Sequence, residues 1–347
     1  MNKGRRDAFD DGKAGRFVLS WECGVLLKNA AERCAFLMSQ QADSQRTGDL
    51  LIDQQRKDYR TGLLCVLLCQ VSWGILPLFW NLLDPIPSQI IILYRVVTMF
   101  LCSYVAARSR YSRAEVWTPF RNRRIRWKYI VAGFALTVNW SIYIWAVTSG
   151  RILQATIGYY IEPLVICLVG ILFFKEKLTR FNTVAMAFAL AAIVIILLHF
   201  GQLPGAALGL AVSWAVYSAI KKTSELPNLI ALVYETLLYA IIALVALFYL
   251  EGRGMGALSL HMPGKYALLL LSGFVTLVPV ALFSAAARKV PLFIIGLAQY
   301  ISPSLQLLLG IFLYREPVDR VQMFAFLLIW IGLVIFSCGE LKNSRRG

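Results

Sequence analysis

The sequence predicts an all-α integral membrane protein with ten transmembrane helices, arranged as two inverted five-helix repeats. Three observations carry that expectation: an apolar composition, apolar runs of bilayer length at regular spacing, and self-similarity at an offset of 140 residues. The chain has 347 residues, of which 59% are hydrophobic and 16% charged. Soluble domains carry roughly 25% charged residues, and a single water-facing core stops growing near ~250–300 residues. Lipid is the solvent that suits such a chain.

Residues 1–60 differ from the rest, with 11 Lys/Arg, 9 Asp/Glu and no run near the ~20 apolar residues that span a bilayer. They read as a cytoplasmic extension that transport does not need, with a start near Met38 as the alternative. Residues 17–38 are half apolar but interrupted by Glu22, Lys28, Glu32 and Arg33, which suits a short amphipathic surface helix. They lack the clean apolar stretch and cleavage site of a secretory signal.

Apolar runs then recur at 61–82, 87–107, 129–149, 153–174, 181–200, 203–220, 229–250, 266–286, 292–313 and 321–338. Each reaches across ~30 Å at 1.5 Å per residue, and in lipid such runs satisfy their backbone as helices. The predicted division is a first repeat at 61–200, a second at 203–339 and a tail at 340–347.

The net charge of +16 invites a nucleic-acid reading. The charge lies instead in short gaps between apolar runs, where it acts as an orientation signal. The gap at 108–128 carries eight basic residues and one acid, and alternate gaps are also basic. The count is 18 basic residues on one side against five on the other, which places both termini in the cytoplasm of a plasma (bacterial inner) membrane protein. Partners follow: a small-molecule substrate and membrane lipids, no nucleic acid, and a homodimer left open.

The halves repeat. Residues 158–180 (GYYIEPLVICLVGILFFKEKLTR) align without a gap to 298–320 (AQYISPSLQLLLGIFLYREPVDR), matching Tyr160, Pro163, Gly170, Glu176 and Arg180 to Tyr300, Pro303, Gly310, Glu316 and Arg320. Tyr94-Arg95 meets Tyr234-Glu235 at the same offset, and Val71-Ser72-Trp73 meets Val212-Ser213-Trp214 at 141. A repeat with five spans enters the membrane upside down the second time. Inverted repeats are a feature of secondary transporters, whose site lies near the midplane between copies.

Residues 61–339 resemble the RarD branch of the EamA, or drug/metabolite transporter, superfamily. The resemblance rests on Trp73-Gly74, Tyr94-Arg95, NWSIYIWAV (139–147), GYYIEPL (158–164), YETLL (234–238) and QYISPSLQ (299–306). It implies the drug/metabolite transporter fold, cytoplasmic termini and export or exchange of small metabolites. Four departures stand out. Tyr94 replaces a usual His, Glu162 a usual Asn and Ile90 a polar or acidic residue, and the N-terminal extension is atypical.

Ionisable groups inside spans are costly and therefore functional suspects. Arg95, Glu162 and Glu235 are the three that the span boundaries place there. Glu162 precedes Pro163 and reads as a binder of a substrate amine or carrier of a coupling proton; the plain alternative is a bond to backbone freed by the proline. Arg95 and Glu235, equivalent in the repeat, are expected to pair across the halves, or else to reach separately toward headgroups and water. Gln299, Pro303 and Gln306 share a helix face, as do Asn139, Tyr143 and Ala146. Trp73, Trp140, Tyr159, Trp214 and Tyr300 are candidate aromatic walls for an organic cation or neutral solute, or interface anchors. Ala185, Ala189 and Ala192 in span five, and Gly205 and Gly209 in span six, suggest close helix packing.

Enzymatic signatures are missing. His199 and His261 are the only histidines, and no HExxH, G-x-S-x-G or Walker A pattern occurs. The seven cysteines are scattered without a CxxC pair and read as small packing residues, so no cofactor or metal is expected. The function implied is a secondary transporter of a small organic metabolite. A non-transporting membrane component or a lipid flippase on the same fold is the alternative.

Overall fold

In a computed structural model of the chain the described residues are Gln40, Arg46, 50–148, 152–201, 205–314 and 320–346. The expected amphipathic stretch at 17–38 and the repeat residue Glu316 lie outside them. The chain falls into two compact units, Met1–Asp58 and Tyr59–Gly347, and the helical bundle is the second.

The long helices fall where the apolar runs lie. They are α1 (Leu50–Asn81), α2 (Ser88–Arg108), α4 (Arg123–Thr148), α5 (Ile152–Phe174), α6 (Arg180–Phe200) and α7 (Gly205–Lys222). Then come α8 (Asn228–Gly252), α9 (Pro263–Ala287), α10 (Leu292–Gln299), α11 (Ile301–Leu309) and α12 (Arg320–Arg346). A short α3 (Arg113–Trp117) and a 3-10 turn (Thr118–Arg121) fold the basic gap after α2. There Ser112 accepts from the Glu115 N–H at 3.2 Å while Glu115 accepts from the Ser112 N–H at 2.7 Å, a reciprocal N-terminal cap. The Ser112 backbone N–H first, and its side chain second, hold the Glu115 carboxyl below the usual carboxylate range.

Among the described residues eight helical stretches are long and apolar enough to cross a membrane. They lie in α1, α2, α5, α6, α8, α9, α10 with α11, and α12. The expected spans at 129–149 and 203–220 fold as α4 and α7 but are not among the eight. α7 has 18 residues and ends on Lys221 and Lys222. Leu172, Phe173, Leu198, Phe248 and Phe312 are each at least two-thirds exposed on the bundle. Water would penalise such a surface, whereas acyl chains do not. The protein is a multi-pass membrane protein.

Interior packing is close because small residues meet backbone. α6 packs along α12, and Ala185, Ala189 and Ala192 are all buried, as span five predicted. A Cβ on Gly273 of α9 would collide with the backbone of Thr98 and Met99 in α2. One on Gly296 of α10 would stand 2.6 Å from the Pro163 carbonyl oxygen of α5. Gly209 meets Ile142, but among the described residues nothing stands within 4 Å of a Cβ on Gly205, so the packing role expected for Gly205 is not seen there.

Two prolines act differently from each other. α5 runs unbroken through Pro163. The ninth apolar run, expected as one helix over 292–313, breaks at Tyr300 into α10 and α11. Pro303 lies three residues on; it offers no N–H to the preceding turn and crowds the Gln299 carbonyl.

Candidate functional site

A cavity of about 180 Å³ lies between α1, α2, α4, α5, α7, α10 and α11. Drug-sized pockets run to ~300–1,000 Å³, so this one suits a smaller solute. Of the residues that the sequence nominated, Arg95, Asn139, Tyr143, Tyr159, Glu162, Gln299 and Gln306 line it. Pro163 and Pro303 also border it, as do Trp73, Trp140 and Trp214.

Arg95 is held by aromatic faces. Its guanidinium carbon stands 4.0 Å from the centre of the Trp140 ring and 5.4 Å from that of Trp80. Such stacking stabilises a cation where water is scarce. Arg95 is 9% exposed, its Nε has no hydrogen-bond partner, and it makes no ion pair among the described residues.

Glu162 sits near the middle of α5 and is 7% exposed. Its Oε2 has no partner, and its carboxyl makes no ion pair among the described residues. The bond to proline-freed backbone that the plain alternative required is not formed there. Gln299 likewise leaves Oε1 unpartnered, and Trp214 leaves its indole N–H unpartnered. Buried polar groups in proteins are overwhelmingly satisfied. Four of the unsatisfied atoms belong to residues that line this one cavity.

The remaining polar nominees hold the frame. Asn139 donates to the Leu210 carbonyl at 2.9 Å and to Ser213 Oγ at 3.2 Å, tying α4 to α7. Gln306 donates to the Trp73 carbonyl at 3.2 Å and to Ser302 Oγ at 3.3 Å, tying α11 to α1. Tyr143 and Tyr159 pack against each other, ring centres 5.6 Å apart, and Trp73 meets Trp214 edge-on at 6.4 Å.

Two nominees fall elsewhere. Tyr300 is 1% exposed, off the cavity, and donates to the Tyr160 carbonyl at 3.0 Å. It is a strut between α10 and α5, and its partner is its own repeat equivalent. Glu235 is also 1% exposed and off the cavity. It accepts from Lys221 at 2.6 Å and from Tyr217 at 3.1 Å. The expected pairing of Arg95 with Glu235 is therefore not present: a nearer cation on α7 holds Glu235, and Arg95 turns to tryptophans.

Lys221 is what the sequence reading missed, having been counted with Lys222 as loop charge. The doublet splits. Lys222 reaches the Val290 carbonyl at 2.6 Å and Glu176 at 3.3 Å, while Lys221 turns inward to full burial. The signal was available: Tyr217 and Lys221 share a helix face, and a buried Glu235 demands a cation. Gln70 and Trp80, also on the cavity wall, carried no comparable signal within their run.

The profile of the EamA-like transporter family matches residues 60–198 and again 205–338. The uncharacterized transporter YojE of Bacillus subtilis is 35% identical over 295 residues, 84% of this chain and 98% of that protein. Protein RarD of Streptomyces exfoliatus is 33% identical, covering 83% of this chain and 92% of that protein. Protein RarD of Escherichia coli is 30% identical, covering 84% and 98%. A solved crystal structure shares the fold with a TM-score of 0.62 at 16% identity, covering 79% of this chain and 96% of that one. The chain belongs to the EamA-like transporter family, as a RarD-like member.

Proposed function

We propose that this membrane transporter is a secondary transporter, exporting or exchanging a small organic metabolite across the plasma membrane by alternating access. The observation that carries the reading is the cavity itself: a solute-sized space between helices of both halves, ringed by unpartnered Arg95, Glu162 and Gln299. A purely structural membrane component has no need of such groups, since each is costly to bury unsatisfied. We assign the driving force to a proton gradient or to exchange.

The packing supports ten spans in two inverted halves. Repeat-equivalent helices meet one another: α2 with α8, α5 with α10, and α6 with α12. Crosswise contacts come as matched partners, α2 with α9 and α4 with α8. Such reciprocity is what a two-fold axis between the halves generates. Both termini are assigned to the cytoplasm by the basic gaps.

The test has two steps. An untargeted comparison of metabolites exported by cells with and without the protein identifies the solute. Counterflow of that solute into liposomes holding the purified protein, alongside scrambling of a labelled lipid, then separates transporter from flippase. Saturable solute counterflow without scrambling is expected. Scrambling without counterflow would reject the reading.

A further inference from the structure

We propose that the basic gap between α2 and α4 holds an anionic phospholipid, its phosphate on Arg121, Arg123 and Arg124 and its acyl chains along the exposed apolar stripe of α4. The orientation assigned above only names the leaflet, the cytoplasmic one. The lipid contact itself needs neither that assignment nor transport.

The choice of cation is the first observation. Orientation asks only for positive charge, and lysine supplies it as well as arginine. The gap at 108–128 nevertheless holds seven arginines and one lysine, whereas the other basic gaps and the tail hold four arginines and six lysines. The planar fork of arginine meets two phosphate oxygens at once, which the point charge of lysine does not. The lone lysine is also engaged, since Lys128 pairs with Glu225 at 3.2 Å. Arg121, Arg123 and Arg124 are all exposed, and their guanidinium groups have no hydrogen bond, ion pair or ring contact among the described residues. Glu115, the one acid of the gap, is turned onto the Ser112 N–H. No carboxylate therefore offsets three neighbouring like charges.

Placement is the second observation. The gap is anchored: Val116 is fully buried and its carbonyl accepts from Tyr234 of α8. Trp117 and Phe120 pack on the same tyrosine, ring centres 6.3 and 5.0 Å away. Beside this platform Trp127, Val131 and Phe134 are 53%, 44% and 59% exposed, and their spacing sets them on one stripe of α4. Arg123 and Arg124 continue that stripe one turn earlier. An exposed tryptophan between an apolar stripe and cations marks headgroup depth, and basic clusters beside a span recognise anionic lipid. A soluble phosphate compound or a nucleic acid would meet the arginines and leave the stripe bare; a phospholipid covers both.

Binding is measured on the purified full chain in neutral detergent, with bound lipid counted by native mass spectrometry. The probes are phosphatidylglycerol, phosphatidylcholine of the same chains, and glycerol phosphate as a headgroup without chains. We expect phosphatidylglycerol to bind about 10-fold or more tighter than phosphatidylcholine. Arg121→Gln, Arg123→Gln and Arg124→Gln should each weaken phosphatidylglycerol by roughly 5-fold and leave phosphatidylcholine unchanged. Arg123→Lys, which keeps charge without the fork, should fall between wild type and Arg123→Gln. Arg253→Gln with Lys265→Gln, in and after the gap that follows α8, should change neither lipid. Equal binding of the two lipids overturns the proposal, as does wild-type affinity in all three glutamine variants or an equal loss in the Arg253 and Lys265 control. Displacement of phosphatidylglycerol by an equal concentration of glycerol phosphate would make this a soluble-phosphate site and overturn the lipid assignment. Solute counterflow plays no part in these readouts, so failure here leaves the transport reading standing, and the reverse holds.

Discussion

Two buried cations are solved in opposite ways. Arg95 rests on tryptophan faces and keeps its donors, while Lys221 spends its charge on Glu235. Removing one member of a buried pair leaves the other uncompensated at about 3–5 kcal/mol. Glu235→Gln should therefore destabilise strongly in thermal unfolding in detergent, and adding Lys221→Met to it should recover most of the loss. A single change that unfolds like wild type would deny the pair its structural role. Tyr300→Phe, which removes only the strut to Tyr160, should cost about 1 kcal/mol and leave the transport KM unchanged. Arg95, Glu162 and Gln299 were legible because a polar residue inside an apolar run stands out in one dimension. Lys221 was hidden because it ends its run beside Lys222, where a loop was the simpler reading. Tyr300 misled because a hydroxyl's partner, here a carbonyl 140 residues away, leaves no trace in local pattern.

At the scale of elements, run length and hydropathy located every long helix, but not how helices start or break. The described part of α1 reaches back to Leu50, eleven residues ahead of the expected span, through charged turns that no bilayer argument would include. Pro303 accompanies a break and Pro163 does not, and tertiary packing around each decides between those outcomes. Close approach is the other element-scale property, and Gly273 is its sharpest case. A side chain there meets the α2 backbone, which cannot swing aside as a side chain could. Gly273→Val should separate α2 from α9, lowering thermal stability by at least the ~1–3 kcal/mol typical of overpacking. Wild-type stability in that variant would show that the two helices have room to part.

For the whole molecule, the repeat reappears as reciprocal contacts. Tyr94 of α2 donates at 2.8 Å to Glu251, whose carboxylate accepts the N–H groups of Ala257 and Leu258 beyond α8. Its equivalent Tyr234 of α8 donates to the Val116 carbonyl beyond α2. Each half thus fastens the gap that follows the other's second span. The offset of 141 also sets Trp80 over Lys221, so Arg95 on Trp80 and Glu235 on Lys221 are one contact in two chemistries. Orientation has its own check. In a background without native cysteines, Ala114→Cys should resist an impermeant maleimide in intact spheroplasts while Ser259→Cys reacts. The reverse pattern would turn the protein over.

Alternating access is the claim on which the functional reading depends, and Ser302, on the cavity wall, reports on it directly. A single Ser302→Cys in the cysteine-free background can be offered an impermeant maleimide in right-side-out and in inside-out vesicles. The account predicts labelling from both faces, with the transported solute slowing both reactions. Labelling from one face only, whatever solute is present, would describe a fixed pocket and contradict it.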